Sequence, residues 1–187
     1  MNVSSALKEL FKQNFLCSVE NIYLKDSIGR TLSKPITINK SIPAFDTSSM
    51  DGFAVKKSSL GRINRFTILG ETPAGARPEY SIKPSECVRV YTGSRMPKNA
   101  DFVVIQENTW TEGNFMYLNA FDKKSPYVRK KGLDFKKGQT ISHSMFIDYK
   151  LISALASLNL EKVSVIKKPR VSIIPTGNEV LALGSKA

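Results

Sequence analysis

A chain of 187 residues, 41% hydrophobic and 24% charged, has room for one medium domain or two small ones and the composition of an ordinary folded protein. Two cysteines without a CxxC spacing and a single histidine argue against a disulfide scaffold, a thiolate zinc site or a histidine-rich metal centre. The 28 Lys and Arg against 16 Asp and Glu, a formal net charge of +12, favour anionic partners, either small anions or nucleic acid.

Residues 1–5 lack a basic segment leading into a long apolar core, and no stretch nears the roughly 18 apolar residues of a membrane span, so a cytoplasmic protein is expected. Ser4 or Ser5 is expected to cap a first helix with apolar positions Leu7, Leu10, Phe11 and Phe15. Leu24, Ile28 and Leu32 predict a second, short helix, interrupted or ended by Gly29. Residues 35–38 read as extended. From Asp51 to Val128 the signals are mostly β. The runs 66–69, 87–91, 102–105 and 115–118 are rich in strand formers, with Gly70, Gly75, Pro84, Gly93, Pro97 and Gly113 between them. Such spacing suits a small barrel or a set of twisted hairpins. Asp148 is expected to cap a helix with Leu151, Ile152, Leu155 and Leu158 on one face. Strands at 163–166 and 171–174 follow, the second running into Pro175-Thr176-Gly177 as the start of an α/β domain would. His143, the one histidine, has no neighbours that suggest a triad or a metal, and reads as an ordinary loop residue.

Four segments can carry chemistry, and each also has a plainer structural explanation. In Ser48-Ser49-Met50-Asp51-Gly52, ahead of Phe53-Ala54-Val55, Asp51 either caps a polar turn or faces a ligand. At Tyr91-Thr92-Gly93-Ser94-Arg95, a strand end frees amides and a hydroxyl beside Arg89 and Arg95: an oxyanion cradle, or a turn with surface arginines. Arg129-Lys130-Lys131-Gly132-Leu133-Asp134 is either a solvated basic loop or a site with a carboxylate among cations. Glu179 stands just past the last predicted strand, where α/β folds place ligands, or else serves as a cap or surface residue.

Taken in order, these segments are specific. Ser-Ser-Met-Asp-Gly-Phe-Ala-Val (48–55), Arg-Val-Tyr-Thr-Gly-Ser-Arg-Met-Pro (89–97), Ala100-Asp101-Phe102-Val103-Val104 with Gln106-Glu107, Arg-Lys-Lys-Gly-Leu-Asp (129–134) and Pro-Arg-Val-Ser-Ile-Ile-Pro-Thr-Gly-Asn-Glu-Val (169–180) closely resemble the molybdopterin molybdenumtransferases. This is the MoeA family, which includes the E domain of gephyrin, and the resemblance runs from the first helix to Gly184.

The resemblance implies an α+β fold. A mixed framework domain (1–18 and 130–168) is interwoven with a β-rich lobe (19–129, with a framework crossover near 37–45), and 169–187 begins a truncated molybdopterin-binding α/β domain. The family's later Ser-Gly-Gly segment is missing, so the chain is expected to be an amino-terminal fragment, inactive alone. The implied reaction is a step of molybdenum cofactor biosynthesis: molybdate is inserted into adenylylated molybdopterin, with AMP released and Mg²⁺ assisting. Carried over by motif, Asp51, Thr92 and Asp134 are catalytic candidates, Asp51 and Asp134 also Mg²⁺ ligands, and Arg129, Arg95 and Glu179 bind substrate. The resemblance further implies a homodimer, with the active cleft between subunits, fed by a molybdopterin adenylyltransferase, and with no specific nucleic acid and no membrane. Two departures lower local negative charge: the family's Gly-Glu-Asp stands here as Gly132-Leu133-Asp134, and its Thr-Gly-Asp-Glu as Thr176-Gly177-Asn178-Glu179. A dimerising scaffold on the same fold is the alternative; a nucleic-acid binder is a third reading, resting on the charge alone.

Overall fold

The structure, a computed structural model, describes residues 2–13, 17–177, 179–181 and 183–185. Phe15 and Asn178, named above, lie outside them. The chain divides into two units, Met1–Ile36 with Ser142–Ala187, and Thr37–Ile141. No helix among the described residues is long and apolar enough to cross a membrane.

In the first unit, the opening helix spans Val3–Lys12, and its cap is Asn2, whose Oδ1 accepts the Ser5 amide at 2.8 Å. Ser4 and Ser5, expected as caps, instead lie in the first turn. The strand Val19–Tyr23 pairs antiparallel with Lys162–Ile166. Arg30 braces the pair, bonding Glu20 and donating to the Ile166 carbonyl. Helix Tyr149–Ser157 forms as its sequence predicts: the Asp148 carboxylate takes the Lys150 and Leu151 amides at 3.0 and 2.8 Å, and Leu155 is buried. Leu24, Leu32, Ile147, Val163 and Val165 of this unit are buried as well.

Two expectations fail here. The helix through Leu24, Ile28 and Leu32 is only a 3₁₀ turn, Leu24–Asp26. Gly29 then takes φ +77°, and Thr31 and Leu32 bridge Phe146 and Val165 in extended pairing, which leaves Ile28 exposed rather than on a helical stripe. The strand expected at 171–174 does not form. Val171, Ile173 and Ile174 are 79–89% exposed, and a β-rich run without a partner strand to pair with has nothing to hold it extended.

The second unit is built on a six-stranded mixed sheet in the order Phe102–Ile105, Gly52–Val55, Glu86–Val90, Arg65–Thr72, Phe115–Leu118, Thr109–Glu112. The four expected β runs all lie in it. The small barrel or set of twisted hairpins expected here takes the form of one mixed sheet that includes a hairpin. Strands Arg65–Thr72 and Glu86–Val90 run parallel, because the chain crosses over between them, whereas Thr109–Glu112 and Phe115–Leu118 make a tight hairpin with Gly113 at φ +55°. Helices and strands together make the chain α+β.

Gly52–Val55 is the central element. Alternate side chains face opposite ways, so Phe53 and Val55 enter a core with Phe66, Cys87, Phe102, Val104 and Met116, while Ala54 packs with Val90 and Val103 on the other face. All four residues are buried, as the apolar run predicts. Gly52 is obligatory: a Cβ there would stand 2.0 Å from the Val104 carbonyl oxygen.

Candidate functional site

Residues 46–51, which lead into the central strand, gather two distant segments of the second unit. Thr47 and Ser48 pair antiparallel with Arg129 and Val128. Thr47 also bridges Arg95, the Ser48 amide donates to the Ser94 carbonyl, and the Ser48 carbonyl accepts the Gly93 amide, both at 2.9 Å. Residues directly opposed across strands share a face, so Arg95, Thr47 and Arg129 form one row across three segments.

The turn after Ser48 is closed by Ser48 itself, whose hydroxyl accepts the Met50 amide at 3.3 Å and donates to the Met50 carbonyl at 2.5 Å. Asp51 is therefore not the cap of its own turn. Its Oδ1 reaches across to accept the Thr92 amide at 2.8 Å and the Thr92 hydroxyl at 3.0 Å.

Thr92 is held ready for that contact. Residues 91–94 form a β-turn closed by the Ser94 amide on the Tyr91 carbonyl, with Gly93 at φ +87°, the conformation a type II turn requires at its third position. Ser94 is fully buried, and its hydroxyl accepts the Tyr91 amide at 2.9 Å and donates to the Thr72 carbonyl at 2.7 Å. Both bonds pin the turn to the sheet.

On the other side, Arg129 donates from Nη2 to both oxygens of Asp134 at 2.9 and 2.8 Å. Asp46 anchors the loop between them: Oδ2 accepts the Lys130 ammonium and Oδ1 the Lys131 amide, each at 2.8 Å. Partial burial works against ionisation of Asp46, but these two bonds outweigh it and hold its pKa below the ordinary carboxylate value. The ion pairs are exposed and add little stability; their effect is placement. Arg95 lies with its guanidinium 3.5 Å from the centre of the Phe45 ring.

Five of the six residues singled out by motif thus belong to one connected region: Asp51 with Thr92, Arg129 with Asp134, and Arg95 beside Thr47. Glu179 belongs to the other unit, exposed in a turn. Sequence reasoning missed Asp46, Ser94 and Phe45. Only Asp46 gave a signal, as a carboxylate within the same polar segment as Asp51, and its partners 84 and 85 residues away could not be read from spacing.

The amides of Thr92, Gly93 and Ser94, expected to be freed as an oxyanion cradle, are instead taken by Asp51, the Ser48 carbonyl and the Tyr91 carbonyl, so what the region offers an oxyanion is its cationic side chains, Arg95 and Arg129. Among the described residues no three metal-ligating side chains converge. Mg²⁺ commonly takes only one or two carboxylates and fills its octahedron with water and phosphate. Asp51, whose Oδ1 alone serves Thr92, fits that role; Asp134 fits it only on release from Arg129, which holds both of its oxygens.

Residues 1–159 match the family described as MoeA N-terminal region (domain I and II). The chain is 34% identical over 172 residues to a molybdopterin molybdenumtransferase of Bacillus subtilis, covering 87% of this chain and 40% of the relative. It is 33% identical over 189 residues to one of Staphylococcus epidermidis, covering 97% of this chain and 45% of the relative. A crystal structure of a molybdopterin biosynthesis MoeA protein from Pyrococcus horikoshii superposes with a TM-score of 0.80 at 25% identity, covering all of this chain and 49% of that one. The chain thus spans less than half the length of the relatives it matches.

Proposed function

The chain belongs to the MoeA N-terminal family, and on that premise we propose that it supplies the amino-terminal region of a molybdopterin molybdenumtransferase, inserting molybdenum from molybdate at the dithiolene sulfurs of adenylylated molybdopterin with release of AMP. The names of its relatives support the reaction class. The observation that carries the site is the Asp51–Thr92 contact, made on the same segment that bears Arg95 and Arg129.

Both reactants are anions, and bare carboxylates would repel them. Arg129 and Arg95 donate hydrogen bonds to molybdate and to the adenylyl phosphate, and the Thr92 hydroxyl joins them when its single O–H turns from Asp51 to the oxyanion, the Thr92 amide staying on Asp51. Asp51 orients Thr92 through the Thr92 amide and, before substrate arrives, its hydroxyl, and the remaining Asp51 oxygen would hold the cation. Mg²⁺, when bound, neutralises charge between the two anions. Asp134 holds Arg129 in place until an oxyanion takes over the guanidinium. The dithiolene supplies the sulfur chemistry, so the protein needs no redox group.

The remainder of the proposal concerns the complete enzyme: a homodimer whose cleft is completed by a pterin-binding domain, with Glu179 contributing to substrate binding and a molybdopterin adenylyltransferase acting upstream. The test is Asp51→Ala in the complete protein. Cofactor production should be lost with the fold intact, and normal production would reject the assignment.

A further inference from the structure

Arg95 and Arg129 stand on either side of Thr47, yet they are held by different means. Arg129 has both oxygens of Asp134, at 2.9 and 2.8 Å. Arg95 makes no ion pair among the described residues. Its guanidinium carbon instead lies 3.5 Å from the centre of the Phe45 ring. Among the described residues the next closest cation over a ring, Lys162 on Tyr23, is 4.6 Å away. We propose that Phe45 is a positioning residue, whose ring presets the Arg95 guanidinium for an oxyanion. The proposal rests on the substrate-binding role given to Arg95 above.

A flat guanidinium reaches a separation of 3.5 Å only face-on, the arrangement in which the negative face of the ring attracts the cation. Stacking occupies the face of the guanidinium and leaves its edge, with the N–H donors, for a pair of oxygens. A carboxylate partner would hold those same donors, as Asp134 does in Arg129, and an arriving anion would first have to displace it. The acids around Arg95 are engaged elsewhere: Asp46 holds Lys130 and the Lys131 amide, Asp51 reaches Thr92, and Asp134 holds Arg129. The ring thus fixes a cation whose donors stay open.

The backbone supports the stack. Thr47 bridges Arg95, and the Met96 amide donates to the Asp46 carbonyl at 3.0 Å, so the segment that carries Phe45 is tied to the one that carries Arg95 at successive residues. Both side chains are half-buried. An arginine loses much rotamer freedom when a ligand fixes it. A ring that restricts the side chain beforehand reduces that loss and strengthens binding. Such an effect falls on KM rather than on kcat.

The test uses the complete protein and its steady-state release of AMP. Phe45→Leu keeps an apolar side chain and removes the ring. The KM for molybdate or for adenylylated molybdopterin should rise about three- to tenfold, with kcat within about twofold of the parent and an unchanged circular dichroism spectrum. Phe45→Tyr keeps the ring and should retain the parent KM. In an Arg95→Gln background, Phe45→Leu should change neither KM further, because Phe45 acts only through that guanidinium. Should Phe45→Leu misfold, Phe45→Met gives the same test. Parent KM values in a folded protein without the ring, a KM raised equally by Phe45→Tyr, or a full further effect in the Arg95→Gln background would overturn the proposal. The molybdenum-transfer reading fails separately, through normal cofactor production by Asp51→Ala.

Discussion

The Asp51 carboxylate accepts the backbone amide and the hydroxyl of Thr92 through one oxygen, at 2.8 and 3.0 Å, across 41 residues of sequence. Thr92→Val removes the hydroxyl, preserves the shape and leaves the amide bond. The contact is exposed, so the loss should fall below the range for a charged hydrogen bond, at about 0.5–1 kcal/mol. Urea denaturation should show a lower midpoint at unchanged slope. An unchanged midpoint would mean that the hydroxyl contributes nothing to holding the turn.

Gly52 carries the strand next to Asp51, and a methyl group there meets the Val104 carbonyl at 2.0 Å. The neighbouring backbone must move, because the obstacle is main chain in the middle of the sheet. Gly52→Ala should therefore destabilise the unit by about 1–3 kcal/mol, the usual cost of overpacking. Thermal melting reads this directly, and a wild-type melting temperature would show that the sheet yields more easily than its geometry implies.

These two contacts were unequally legible. Gly52 announced itself, since a glycine between Asp51 and the apolar run Phe53-Ala54-Val55 has a local reason to be there. The Asp51 contact did not; its nearest explanation was a cap on its own turn, a role that Ser48 fills. Strands with alternating or continuous β-branched residues were found because their signal is local, as was the helix behind Asp148. The mixed sheet order and the parallel pair depend on how a crossover packs, which local pattern does not encode. The strand expected at 171–174 shows the converse: an adequate local pattern that finds no partner among the described residues.

Asp46 has its pKa lowered by the Lys130 and Lys131 hydrogen bonds, which overcome the opposing effect of burial. A depressed carboxylate stabilises the fold above its unfolded pKa, and that contribution fades as pH falls through the lower folded value. The Lys131 amide, held by Asp46 at 2.8 Å, should lose hydrogen-exchange protection across that acidic window, before the unit unfolds. Protection that persists until global unfolding would place the loop's anchor elsewhere. In Asp46→Asn the pH dependence should vanish.

The two cysteines should separate by reactivity. Cys17 is exposed and Cys87 is buried, and burial pushes the Cys87 thiol up to about 12. Raised in the fold, the thiol stabilises the native state below its unfolded pKa, and the contribution is lost as pH rises toward 12. A thiol reagent at neutral pH should label one site at once and the second only on unfolding. Prompt labelling of both would mean that the core around Phe66 and Met116 opens readily.

The most direct measurement is molybdate-dependent AMP release by the complete protein carrying Asp51→Asn. Asparagine retains an oxygen for the Thr92 amide and hydroxyl and removes only the charge. Release should fall by about a hundredfold or more, in the range seen when one electrostatic contributor is lost, with an unchanged melting temperature. A folded Asp51→Asn enzyme that releases AMP at the parent rate would contradict a charged role for Asp51.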